Sequence, residues 1–219
     1  MNIQTSQATT QRVLVIDDHP LFRKGVVDLL SMDSSLQLVG EAASGEEGLK
    51  LVQQLQPGLV LLDLNMRGMD GVETLRRLRA MEGVQPKVLV LTVSNAEEDV
   101  VRALRAGADG YLLKDMEPEE ILGYLHSAIS GGVAISPELT GMLARALRED
   151  SAPIEPDRAG LTPREKQILA LVAAGHSNKL IARELDVAVG TVKVHIKNLM
   201  KKLGLKNRVE AALWASRFR

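Results

Sequence analysis

Between positions 12 and 131 short apolar runs rich in β-branched residues alternate with stretches whose apolar positions recur at helical spacing. The runs are 12–17 (RVLVID), 36–42, 59–63 (LVLLD), 87–92 (KVLVLT) and 110–113. Nearly continuous apolarity of this kind marks strands covered on both faces, as in a parallel sheet packed between helices. The intervening periodicity predicts helices at about 20–31, 45–55, 70–81, 95–106 and 117–130, with Gly83 and Gly107 as stop signals. The pattern therefore predicts a doubly wound α/β domain with a five-stranded parallel sheet over 10–131.

The pattern then changes. Residues 132–158 read as a linker that carries one more helix over 136–148 and an exposed stretch over 149–159, EDSAPIEPDRA, with two prolines and mixed charge. From Leu161 every segment has helical period. Thr162-Pro163-Arg164-Glu165 is a capping box, with Thr as N-cap, Pro at the first helical position and Glu three residues after the cap. Gly175 ends that helix, a short one runs from Ser177 to Leu185, a third from about Gly190 to Lys202 before Gly204, and a last from Asn207 to Ser216. Residues 159–219 are thus predicted to be an all-α unit of four helices with helix-turn-helix order.

Composition removes several classes. The 219 residues are 45 % hydrophobic and 25 % charged, which is ordinary for a globular protein. No apolar run approaches the roughly 18 residues of a membrane span, and the polar start lacks the apolar stretch of a secretory signal, so no membrane association and a cytoplasmic location are expected. With no cysteine there is neither a disulfide framework nor thiol chemistry. Five aromatic residues are too few for a platform that stacks bases. The net charge of −1 conceals two unlike halves. From Ala159 onward twelve Lys and Arg face four acids, giving +8, while residues 1–158 hold fifteen bases and twenty-four acids, giving −9. A polyanion is the natural partner of the basic half, and the opposite signs give the halves an electrostatic reason to dock.

Chemistry concentrates where strands end. Asp17 and Asp18 follow the first run, Asp63 the third, Thr92 closes the fourth and Lys114 follows the fifth. In an open α/β sheet ligands bind beyond the carboxyl ends of the strands. One acid at a strand end is most often a helix cap. Several acids meeting at one edge need a cation, and a hard ion with oxygen ligands, Mg²⁺, suits such a set. A carboxylate beside Mg²⁺ can attack a phosphoryl group while a lysine neutralises its oxygens.

This arrangement resembles the receiver domain of two-component response regulators over essentially all of 12–131. The resemblance implies that Asp63 accepts a phosphoryl group from a sensor histidine kinase. It implies that Asp18, Asp63 and the backbone carbonyl of Asn65 hold Mg²⁺, with Asp17 acting through metal-bound water. Lys114 would pair with the phosphoryl oxygens and Thr92 would hydrogen-bond them, while Tyr111 occupies the place of the aromatic that turns inward on activation. Thr92 and Tyr111 are therefore the expected switch residues. Lys114 is followed by Asp115 where the family often has proline. Asp70 reads as a cap of the third helix, and Gly71 as a source of backbone freedom.

In the tail, Lys193, Lys197 and Lys201 fall on one helical face, and Val192, Ile196, Leu199 and Leu203 on the other. A helix with a cationic face is more often simply solvated, but the charge of the whole unit and its helix-turn-helix order favour the DNA major groove. The stretch LTPREKQILALVAAGHSNKLIARELDVAVGTVKVHIKNLMKKLGLKNRVEAA closely resembles the DNA-binding domain of the NarL/FixJ (LuxR-type) response regulators over about 161–216. That resemblance carries over Lys193, Val194 and Lys197 as groove-facing residues. Asn178, Lys179, Thr191, His195 and Lys201 are weaker candidates for phosphate contact, His195 with packing as its alternative role. Val194 suits a thymine methyl. Ala188 stands where the family usually has a hydroxyl N-cap, a loss of roughly 0.5–2 kcal/mol, which predicts a later start of the recognition helix, at Thr191.

The two resemblances imply a phosphorylation-controlled transcription regulator that is not an enzyme beyond catalysing its own phosphorylation and slow dephosphorylation. In that family the unphosphorylated receiver covers the recognition helix, and release lets a homodimer bind double-stranded DNA at paired half-sites about one turn apart. RNA polymerase is a further candidate partner. The wording KLGLKNRVEAALWA and that of the receiver is nearest to nitrate- and nitrite-responsive members. Two other readings compete. One is a metal-dependent phosphatase working through an aspartyl phosphate, disfavoured because Asp63 ends the third strand and Asn65 stands where such enzymes carry a second acid. The other is a receiver-like regulator that works without phosphorylation.

Overall fold

A computed structural model describes residues 10–83, 85–136, 139 and 160–216 of the chain. The helix expected over 136–148 and the linker expected over 149–159 lie outside these residues, save Ser136 and Leu139. The described strands form one six-stranded sheet in the order β2-β1-β3-β4-β5-β6. By its contacts the chain divides into two compact units, Met1–Pro86 and Lys87–Arg219.

The first unit alternates β1 (Gln11–Ile16), α1 (Pro20–Ser31), β2 (Leu36–Ala42), α2 (Gly45–Leu55), β3 (Leu59–Leu62) and α3 (Gly71–Ala80). β1 is the centre, paired in parallel with β2 and with β3. Its residues Val13 to Ile16 and all four of β3 are buried, which is why these strands read as unbroken apolar runs. Helix starts are set by local chemistry. Ser44 accepts a bond from the Glu47 N–H at α2, and Asp70 accepts from the Glu73 N–H at α3, each satisfying an amide that has no partner inside its helix.

The second unit continues with β4 (Lys87–Thr92), α4 (Glu97–Arg105), β5 (Gly110–Leu113), α5 (Pro118–Ile129) and β6 (Ala134–Ile135). β6 corrects the expectation of five strands. Its two residues pair in parallel with Gly110 and Tyr111 of β5, and so short a strand carries no periodicity to read. Among the described residues four helices follow: α6 (Pro163–Ala173), α7 (Asn178–Glu184), α8 (Val189–Leu203) and α9 (Arg208–Ser216). They enclose a core of Ile168, Val172, Ile181, Val192, Leu199 and Trp214, among others.

The capping box forms as expected, with Thr162 Oγ1 accepting from the Glu165 N–H and Glu165 Oε2 from the Thr162 N–H. The start of α8 does not. The helix begins at Val189, directly after an Ala188 that offers no side-chain cap, and not at Gly190 or Thr191. Val192, Ile196, Leu199 and Leu203 are all buried. At about 1.5–3 kcal/mol for each buried aliphatic side chain, that stripe outweighs a missing cap.

Candidate metal centre and nucleic-acid interface

β1 delivers Asp17 and Asp18, and β3 delivers Asp63, because each strand runs out of apolar positions at the same edge. Ligand atoms of Asp17, Asp18, His19 and Asp63 all lie within 4.8 Å of one another. Asp17 and Asp63 are buried, Asp18 is half-buried and His19 is exposed. The loop backbone orients the acids: Asp17 Oδ1 accepts from the His19 N–H at 2.8 Å, Asp63 Oδ1 from the Asn65 N–H at 3.3 Å, and Asp18 Oδ2 from the Arg67 N–H at 2.9 Å. Arg23 on α1 donates to the Asp17 carbonyl at 2.6 Å and lies 3.3 Å from Glu41, bracing the end of β1.

Asp18 Oδ1 is buried and accepts no hydrogen bond among the described residues. A carboxylate oxygen left in that state inside a group of acids fits a cation, which removes the repulsion and supplies the missing partner. The donor set can therefore hold a divalent metal ion. Asn65, expected to contribute its carbonyl, lies exposed at the rim, two residues beyond Asp63.

Gly71 has a different purpose from the one expected. Its φ is not in the left-handed region, so freedom of backbone is not what the position needs. A Cβ there would sit 2.1 Å from the Asp63 carbonyl oxygen and 2.6 Å from Leu64 Cα. Glycine is required for space, since the Gly71 N–H donates to the Leu64 carbonyl at 2.9 Å and brings α3 hard against the residue after β3.

In the second unit Thr92 is fully buried at the end of β4, and its carbonyl accepts the Lys114 N–H at 2.9 Å, so the two backbones are tied. Tyr111 is also fully buried, its hydroxyl donating to the Ser94 carbonyl at 2.8 Å. Ser94 is the hub that sequence reasoning missed. Its N–H donates to Thr92 Oγ1 at 3.4 Å and its hydroxyl to Asp99 in the first turn of α4 at 2.6 Å. One residue thus links Thr92, Tyr111 and α4. A hydroxyl two positions after a strand-ending Thr and just before a helix with no side-chain N-cap was the available clue. His19 was also missed, although it directly follows the two acids.

On α8, Thr191, Lys193, Val194, Lys197 and Lys201 are exposed, Val194 at 58 %. Lys179 on α7 is exposed and His195 half-buried. An exposed valine between lysines on a helix packed by its other face leaves a cationic surface with an apolar spot, suited to a groove that displays phosphates and methyl groups. Asn178 is the exception among the proposed phosphate contacts, being only 9 % exposed. Its Oδ1 accepts from Arg208 at 2.8 Å and its N–H donates to the Ser130 carbonyl at 3.3 Å. Lys202, next to the cationic face, is committed elsewhere, 2.7 Å from the buried Glu165 carboxylate.

Arg208 is 6 % exposed and pairs with no carboxylate among the described residues; it binds Asn178 Oδ1 and the His176 carbonyl. Burial pulls its pKa down to about 10. Nearby, Asn207 uses both ends of its amide, accepting from the Glu210 N–H at 2.8 Å to cap α9 and donating to the Leu104 carbonyl at 3.1 Å at the end of α4.

Comparison with known proteins agrees with both halves. Residues 13–126 match the response regulator receiver domain, and residues 159–215 match the bacterial regulatory proteins of the luxR family. The chain is 54 % identical over 202 residues to the nitrate/nitrite response regulator protein NarL of Escherichia coli K12, covering 92 % of this chain and 93 % of that one. It is 42 % identical to the nitrate/nitrite response regulator protein NarP of the same organism, covering 94 % and 95 %. Among solved structures, the response regulator ChrA of a heme-sensing two-component system aligns with a TM-score of 0.52 and 31 % identity over 96 % of this chain and 98 % of that one. Among the described residues no helix is long and apolar enough to cross a membrane.

Proposed function

The chain belongs to the response regulators that join a receiver domain to a LuxR-type DNA-binding domain, and from that premise we propose that Asp63 accepts a phosphoryl group from a sensor histidine kinase and that the outcome is read by α8 in the major groove. The observation that carries the proposal is the convergence of Asp17, Asp18 and Asp63 within 4.8 Å, with the buried Asp18 Oδ1 accepting no hydrogen bond among the described residues. Asp18, Asp63 and the Asn65 carbonyl would hold Mg²⁺, Asp17 acting through its water. The ion would offset charge on the phosphoryl oxygens.

The protein's own groups do the rest. An Asp63 carboxylate oxygen forms the new O–P bond as the N–P bond of a phosphohistidine breaks, and the imidazole leaves with that electron pair. The added charge is about −1.5 to −2. Lys114 and Thr92 close on the phosphoryl oxygens; the support is the match to the receiver domain over residues 13–126, in which Thr92 ends β4 and Lys114 follows β5. Because Ser94 ties Thr92 and Tyr111 to α4, movement of Thr92 reaches α4 through that one residue. The regulator itself works in the cytoplasm, within the domain bounds 10–131 and 159–219, and binds paired half-sites as a homodimer, one short helix per half-site being too little for tight binding alone. Similarity to the two nitrate/nitrite regulators supports a nitrate or nitrite stimulus relayed by the kinase; RNA polymerase is the further partner proposed on DNA.

Acetyl phosphate with Mg²⁺, followed by intact-mass measurement, tests the acceptor. One phosphoryl adduct is expected on the wild type and none on Asp63→Ala; an adduct that persists in the variant refutes the assignment. For DNA, Lys193→Ala is expected to abolish sequence preference in a gel shift, and an unchanged preference contradicts the placement of α8.

A further inference from the structure

The acids at the end of β1 and β3 share their space with an imidazole. His19 Nδ1 is 3.0 Å from Asp18 Oδ1, 3.4 Å from Asp17 Oδ1 and 3.7 Å from Asp63 Oδ2. His19 is the residue before α1, yet its side chain makes no capping bond there, so capping does not explain why Nδ1 points at the acids. The ring nitrogen and the three carboxylates instead converge on one small space, their ligand atoms all within 4.8 Å of one another, as the ligands of a single ion do.

The spacings agree with that reading. In an octahedral sphere with bonds of about 2.1 Å, neighbouring ligands lie about 3.0 Å apart and opposite ones about 4.2 Å. The three spans from Nδ1 fall within those limits, and the whole set lies within 4.8 Å. An all-oxygen set favours Mg²⁺, but a nitrogen among the oxygens shifts preference toward first-row ions that take imidazole readily, Co²⁺, Ni²⁺ and Zn²⁺. We propose that His19 is a ligand of the acidic metal site through Nδ1, and that the centre discriminates in favour of imidazole-binding divalent ions. The inference rests on the metal-dependent reading of this site given above. With 63 % of its side chain exposed, His19 reaches the ion from the solvent side, where it can exchange with water without disturbing the buried acids.

The test uses the full chain and its His19→Gln variant. Calorimetric titration with Ni²⁺ and with Mg²⁺ measures the preference, and pulsed electron paramagnetic resonance with Mn²⁺ as the probe reports nitrogen coupled to the ion. Expected are nitrogen modulation in the wild type that vanishes in His19→Gln, and a loss of Ni²⁺ affinity of about tenfold or more with Mg²⁺ affinity held within about threefold. A wild-type Mn²⁺ spectrum without nitrogen coupling overturns the proposal. So does an equal loss of both ions, which would make His19 a general support of the loop. Acetyl phosphate labelling of wild type in Mg²⁺ is weighed in parallel. A missing adduct there refutes Asp63 as acceptor while leaving the nitrogen measurement to decide on His19.

Discussion

Replacing Gly71 by alanine adds one methyl group and tests the geometry that fixes the end of β3. The new carbon would stand 2.1 Å from the Asp63 carbonyl oxygen and 2.9 Å from its carbonyl carbon. Carbon and carbonyl oxygen come to rest at about 3.3–3.6 Å, so the chain must part by about 1.2 Å, and both sides of the contact are backbone. Overpacking costs about 1–3 kcal/mol, and a clash no rotamer relieves belongs at the upper end. Three kcal/mol lowers the melting temperature of a domain of this size by about 12 °C. Gly25→Ala is the control: that glycine lies inside α1 with nothing within 4 Å of its missing Cβ, so the substitution is expected to stabilise by about 0.5–1 kcal/mol. Scanning calorimetry of both variants gives the stabilities, and acetyl phosphate labelling reports whether Asp63 has moved. If Gly71→Ala melts within 2 °C of wild type and labels normally, the close approach of α3 to Asp63 is wrong.

Three further outcomes follow from named contacts. Ala188→Ser supplies the missing cap of α8 and is expected to raise the stability of the four-helix unit by about 0.5–2 kcal/mol in urea, followed by fluorescence of Trp214, the single tryptophan and a member of that unit's core; no gain would mean that α8 starts elsewhere. Burial pushes the Glu165 carboxyl up, but hydrogen bonds from Lys202 and Thr162 together outweigh it and hold its pKa below the usual glutamate value. A carboxyl depressed on folding adds stability above its unfolded pKa and loses it as pH falls through the folded one, so the Trp214 transition should weaken below about pH 4.5 and Glu165→Gln should remove part of that dependence; an identical acid profile would contradict the pairing. Lys201→Ala should weaken binding evenly across DNA sequences and reduce the slope of log affinity against log salt by about 1, and a change of sequence preference instead would place Lys201 on base edges.

Legibility from sequence followed the physics of each element. α1 and α2 begin and end where expected, because Pro20, Ser44 and the apolar spacing all act locally. The acids Asp17, Asp18 and Asp63 were readable because polar residues interrupt otherwise apolar strands at one edge. What escaped depends on neighbours far along the chain. β6 exists only by pairing with β5, and the start of α8 is decided by burial of Val192 and Ile196, which overrides an absent cap. The need for Gly71 comes from the backbone of Asp63, not from its own φ. Ser94 and His19 looked like ordinary loop residues until the bonds and spacings around them were known.

Arg208 fastens two points of the chain 30 residues apart through Asn178. The exposed residues proposed to contact DNA, from Lys179 to Lys201, lie between those two points. The reading segment is thus a closed loop whose ends are joined by one guanidinium, and whose inward stripe of Val192, Ile196, Leu199 and Leu203 is separate from its outward residues. New outward residues can be exchanged within that loop without touching its closure or its core. The same fastening gives the exposed residues Lys179 to Lys201 a frame that their own substitution leaves standing.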